Sequence, residues 1–169
     1  MKTRDKQVFR GLMSIVIAGA AMGAGADARE YNETPILAAY LSSVQNVKGD
    51  DAGARGKAVF YLSNEGEELH FRLDVSGIKD VTSAYIHMKS NDGDDRVVVT
   101  LCNITEIPPR GTCSDSEAEG IIKKEDLVGP LVGSSLAALL REMEGGHTYV
   151  TVHSKKYPLG HLRGPIAEP

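Results

Sequence analysis

Apolar and polar residues alternate along much of this chain. The clearest run is Leu69-His70-Phe71-Arg72-Leu73-Asp74-Val75. A period of two is what a strand with one buried and one wet face requires. Comparable runs predict strands over 35–41, 57–62, 82–88, 96–102, 119–122, 148–153 and 160–166. The run Arg96-Val97-Val98-Val99-Thr100-Leu101-Cys102 is dense in β-branched residues and reads as a central strand. Ser63-Asn64-Glu65-Gly66 predicts a hairpin between the second and third strands, and Tyr157-Pro158-Leu159-Gly160 one between the last two. The polar, Gly-rich stretch 45–56 reads as a loop.

One segment follows another period. Between Ser134 and Gly145, Leu136, Leu139, Leu140 and Met143 fall at helical spacing. Ser134 or Ser135 supplies a cap, and Gly145-Gly146 ends the run, so a short helix is expected over 134–145, with a helical turn near Lys124–Leu127. The expected architecture is all-β: a Greek-key sandwich or barrel of seven or eight antiparallel strands with one short helix.

The N-terminus breaks both patterns. Lys2, Arg4, Lys6 and Arg10 precede an apolar stretch from Gly11 to Ala24, which leads to Ala26-Asp27-Ala28. Basic segment, apolar core and small-residue exit together read as a cleavable signal peptide over 1–28, leaving one domain over 29–169. The apolar core is short for a membrane span, and no later segment is apolar enough to be one. The expected destination is the periplasm or the exterior.

Cleavage changes the charge. Losing Lys2, Arg4, Lys6 and Arg10 together with Asp5 and Asp27 takes the net charge from −4 to about −6. An acidic surface argues against nucleic acid, whose phosphates demand basic contacts. The partner implied is extracellular or periplasmic and otherwise unknown. With no Trp and few aromatics, the core must be mostly aliphatic. An oxidising destination also gives Cys102 and Cys113 a reading as a disulfide, because the Pro- and Gly-containing loop between them could bring its ends together. The alternative, a thiolate metal site, has neither CxxC spacing nor an adjacent His.

Three stretches, taken in order, carry a resemblance. These are Ser83-Ala84-Tyr85-Ile86-His87 with the following Val97-Val98-Val99-Thr100-Leu101, then Gly145-Gly146-His147-Thr148-Tyr149-Val150-Thr151-Val152-His153-Ser154, then Tyr157-Pro158-Leu159-Gly160-His161-Leu162-Arg163-Gly164. Together they resemble the CHRD domain, first described in chordin and found widely in secreted microbial proteins. The likeness covers roughly 36–167 and implies an all-β fold more than an activity. Tyr85 stands where the family stretch has His, Thr151 where it has Asn, His161 where it has Glu, and Pro165 where it has Gln.

Two readings of the histidines remain open. His87 and His153 each sit near a strand end, and a hairpin would bring His161 back towards His153. Three imidazoles on one rim could hold copper or zinc. The architecture is also similar to that of copper/zinc superoxide dismutase, but Tyr85 occupies one position of the His-x-His pair that enzyme uses. The other reading makes these histidines hydrogen-bonding struts. His70 and His147 read as surface residues. Arg163, bracketed by glycines, reads as a structural cation for Asp74 or Glu142. Asn91-Asp92-Gly93-Asp94-Asp95 lacks the EF-hand pattern and reads as a solvated turn. Asn32 and Asn103 begin glycosylation sequons, relevant only in a glycosylating host. No catalytic residues are assigned: GxSxG, HExxH, P-loop and GxGxxG patterns are all missing. The function expected is a non-enzymatic binding or structural module outside the cytoplasm, with a copper or zinc protein, less readily a metal-dependent redox enzyme, as the alternative.

Overall fold

A computed structural model describes residues 34–106 and 112–169. The signal-like segment 1–28, Asn32 and the Pro108-Pro109 and Gly111 portion of the cysteine loop lie outside the described residues.

The strands are β1 (Leu37–Ser43), β2 (Arg55–Leu62), β3 (Leu69–Ser76), β4 (Val81–Met88), β5 (Arg96–Asn103), the two-residue β6 (Thr112–Cys113), β7 (Glu117–Ile122), β8 (Thr148–Ser154) and β9 (Leu162–Ala167). They form one antiparallel sheet in the order β5-β4-β8-β9-β1-β2-β3-β7-β6. The last strand, β9, pairs with the first, β1. Both expected hairpins form, β2 with β3 and β8 with β9.

The alternating pattern decides which face is buried. Leu37, Ala39 and Leu41 of β1, Leu69, Phe71 and Leu73 of β3, Ala84 and Ile86 of β4, Val150 and Val152 of β8, and Leu162 and Ile166 of β9 all turn into one core. The sheet therefore curls around its own apolar face as a nearly closed barrel. The helix α1 (Leu136–Glu144) adds Leu136, Leu139 and Met143 to that core. Its N-terminus is capped by the Ser135 hydroxyl, which accepts from the Ala138 amide at 3.3 Å. The helical turn expected near 124–127 is a 3-10 turn over Lys124–Asp126. Part of the stretch read as a loop is ordered, with a 3-10 turn at Gly49–Gly53 and Arg55 and Gly56 already in β2.

The strand β5 was expected at the centre and stands at one end of the sheet. Its β-branched composition reflects the burial of Val98 and Val99 rather than a strand on each side. The outer edge of β5 is covered instead: the Val128 amide donates to the Val98 carbonyl at 2.9 Å, and Leu127 forms a bridge with Val99. The disulfide Cys102–Cys113 then ties β5 to β6 at the opposite end of the sheet, with Cα atoms 5.5 Å apart. It acts as the clasp of the barrel.

Candidate functional site

Because Ile86, Val150 and Val152 face the core, Tyr85, His87, Tyr149, Thr151 and His153 must face outward. Register brings them together. Tyr85 pairs with Thr151 and His87 with Tyr149 between β4 and β8, while Thr151 pairs with Arg163 between β8 and β9. Register shifts between β4 and β5 on either side of Tyr85-Ile86 mark local irregularity at this point.

The side chains interlock. His87 Nε2 lies 3.1 Å from the Thr151 hydroxyl, and the same hydroxyl lies 3.1 Å from His153 Nε2. His153 Nδ1 donates to the Pro158 carbonyl at 2.8 Å. The Tyr85 ring meets both imidazoles edge-on, with centroids 6.1 Å from His87 and 5.4 Å from His153. Its hydroxyl accepts from the Asn103 amide at 3.3 Å. On the other side His87 stacks flat on Tyr149, with centroids 5.1 Å apart. The Arg163 guanidinium lies 3.6 Å from the Tyr149 ring centroid, a cation–π contact. Asp95 accepts from the Tyr149 hydroxyl at 2.9 Å and from Arg163 at 3.3 Å.

Electrostatics follow from this packing. Burial, with the nearby charges of His153 and Arg163, pushes His87 down to about 4, against a smaller opposing effect of Asp95. The ring is therefore neutral at neutral pH. Burial, then the bond to Asp95, raises the Tyr149 phenol to about 12. The Ser90 amide, the Tyr149 hydroxyl and Arg163 hold the Asp95 carboxyl below its ordinary value.

Several expectations meet a different arrangement. His87 and His153 do come together, linked by Thr151. His161 does not join them. Gly160, at φ +131, turns the chain ahead of β9; the His161 amide still donates to the Val152 carbonyl at 2.8 Å, but its ring does not reach His153. It is buried, 2% exposed, with Nδ1 3.0 Å from the Ser154 hydroxyl and its ring against Tyr157. There it lines a pocket of about 640 Å3 with Asp51, Asp80 and Lys156. Arg163 bonds Asp95 rather than either expected carboxylate: Asp74 bonds Arg72, and Glu142 bonds the exposed His147. His70 is not a surface residue. It is 7% exposed, flanked in register by Tyr61 on β2 and Ile121 on β7, with Nε2 3.4 Å from Glu68.

The acidic turn is used locally. Asp92 accepts from Ser90 and the Asp94 amide, Asp94 pairs with Arg96, and Asp95 reaches into the aromatic face. Among the described residues no group of three His, Cys, Asp or Glu is placed to hold a metal ion. Sequence reasoning missed Asp95, Thr151 and Tyr149 as members of this face. The available signal was the alternation in β8, which puts Tyr149, Thr151 and His153 on one side.

The family model of the CHRD domain matches residues 37–166. The chain belongs to the CHRD family. No curated protein and no solved structure matches it. In this CHRD domain the three stretches that resemble the family lie on β4–β5, β8 and the turn into β9, the elements that build the face just described. Two departures from the family stretches, Tyr85 and Thr151, occupy its centre.

Proposed function

We propose that this CHRD domain is an exported, non-enzymatic module that acts through its surface, as a binding or structural element outside the cytoplasm. The observation carrying this reading is how the polar groups of the outward face are employed. Both His87 Nε2 and His153 Nε2 bond Thr151, His153 Nδ1 bonds a backbone carbonyl, and Asp95, Tyr149 and Arg163 bond one another. Groups committed to neighbouring strands stiffen a surface. The disulfide clasp supports an oxidising destination, where paired thiols persist.

The rival assigns copper or zinc to His87 and His153. The two readings separate by titrating the purified chain with each metal and following bound metal by elemental analysis. Struts predict no stoichiometric uptake at micromolar metal. Stoichiometric uptake that disappears in a His87→Ala/His153→Ala variant would replace this reading with a metal protein.

A further inference from the structure

The pocket lined by His161 lies at one end of the barrel, where three connections meet. The 3-10 turn Gly49–Gly53 brings Asp50 and Asp51, the link from β3 to β4 brings residues 77–80, and the turn between β8 and β9 brings Lys156 and His161. Backbone ties fix this frame. The Ser43 hydroxyl donates to the Asp51 carbonyl at 2.9 Å, the Lys155 amide to the Asp80 carbonyl at 3.0 Å, and the His161 amide to the Val152 carbonyl at 2.8 Å. Among the described residues, Asp80 is the one non-glycine at positive φ, a conformation that Asp tolerates. The cavity of about 640 Å3 falls within the roughly 300–1,000 Å3 usual for small-molecule sites.

One lining side chain has an atom with nothing to bond. His161 is buried, its Nδ1 lies 3.0 Å from the Ser154 hydroxyl, and its Nε2 has no hydrogen-bond partner among the described residues. The Ser154 oxygen already accepts from the Tyr157 amide at 3.2 Å, so the acceptor within reach of the Ser154 hydrogen is His161 Nδ1. A hydrogen on Nδ1 would leave both the Ser154 hydrogen and Nε2 without partners. Donation from Ser154 to Nδ1 leaves Nε2 alone. In neutral His161 the ring hydrogen therefore sits on Nε2, as a buried donor in need of an acceptor.

The charges of the walls nearly cancel. Lys156 and the Tyr157 hydroxyl donate to Asp51, and Lys155 donates to Asp80. Asp50 and Lys79, one of each sign, have no ion pair among the described residues. A site balanced in this way selects neither an anion nor a cation. Its walls mix acceptors with donors, and the group that answers both at once is a hydroxyl. Ile78 and Gly77 supply an apolar stretch for a carbon face. We propose that this pocket binds a small neutral polyhydroxylated ligand, a pyranose sugar, with His161 Nε2 donating to one of its oxygens. Nε2 is shielded from bulk water, so the ligand oxygen meets it by displacing a lining side chain. Lys156, with its long and mostly exposed stem, is the one free to yield while the backbone frame stays in place.

This assignment rests on the binding role proposed above and gives it a ligand class, without involving the outward face of His87 and His153. Its failure would leave a structural or macromolecular role standing, which the metal titration judges separately. The test is proton–nitrogen NMR of the isotopically labelled chain, titrated to millimolar concentrations of the methyl glycosides of glucose, galactose and N-acetylglucosamine, with acetate and tetramethylammonium as ionic controls. The expected result is saturable shifts of the Asp51, Ile78, Ser154 and His161 amides with at least one sugar and with neither ion. His161→Gln should weaken that binding about tenfold. Asp50→Ala, at an exposed turn position where the fold is not at risk, should weaken it as well. The assignment is overturned if none of the three sugars shifts these amides or if either ion shifts them equally. Saturable binding that maps elsewhere, or that neither substitution weakens, overturns it too.

Discussion

At the residue scale, His87 combines several neighbours into one chemical property. Burial, helped by the electrostatic effects of His153 and Arg163, holds it down to about 4, below the ordinary 6.5 that it regains on unfolding. The unfolded chain therefore binds more protons than the folded one between those values, and stability falls as pH drops from about 6.5 to about 4. At full weight the shift is worth about 3 kcal/mol, and partial exposure of the ring screens this to about 1–2 kcal/mol. Urea unfolding at about pH 7 and about pH 4.5, compared between the native chain and His87→Gln, measures the contribution. The native chain should lose more stability on acidification than the variant. Equal losses would mean that His87 is not held neutral. Asp95 yields a second prediction. Its bond and charge come after burial among the causes raising the Tyr149 phenol, so Asp95→Asn should lower the phenol from about 12 without restoring its ordinary value, as read by ultraviolet titration. An unchanged titration would remove Asp95 from this role.

These residues were unevenly legible in the sequence. The pairing of His87 with His153 followed from strand alternation and from two strands becoming neighbours. Asp95 could not be found that way, because its role depends on a turn folding back over β8. His161 misled for a local reason. A hairpin extrapolated by counting places it opposite His153, but its amide bonds the Val152 carbonyl and its ring turns to Ser154 and Tyr157. His70 misled for a different one: alternation reports which face a residue takes, not how far the neighbouring strands cover that face.

At the scale of elements, the close approach of β1 and β9 depends on Gly164. A Cβ there would lie 2.2 Å from the Tyr40 carbonyl oxygen, so Ala cannot be accommodated without moving the strands apart. Gly164→Ala should cost about 2 kcal/mol or more in denaturant unfolding, and no change would mean that the seam is looser than its geometry. The helix offers a milder case, since Ser135→Ala removes the hydroxyl cap and should cost about 1 kcal/mol. Strand existence and the helix were readable from periodicity because burial imposes it directly. Strand order was not, and β5 shows why. A dense run of Val identifies a buried strand, but a covering segment or a disulfide clasp can bury an end strand as fully as two neighbours can.

At the scale of the molecule, the barrel is closed by chemistry as well as by packing. The sheet runs from β5 to β6, and Cys102–Cys113 links those ends. In the chain-entropy picture, removing a cross-link over so short a loop costs about 2–3 kcal/mol. A Cys102→Ala/Cys113→Ala variant should lose that much, and reduced native chain should behave like it. A fold that needs this clasp suits an oxidising compartment, which links the disulfide to the basic, apolar and small-residue order of the N-terminal segment. Export to such a compartment is part of the surface-module function we propose. The most direct test is the intact mass of the chain recovered from outside the cytoplasm of expressing cells. The account predicts a species beginning near Arg29 and lighter by two hydrogens than its dithiol form. Recovery of the chain only in the cytoplasm, uncleaved and with both thiols free, would contradict it.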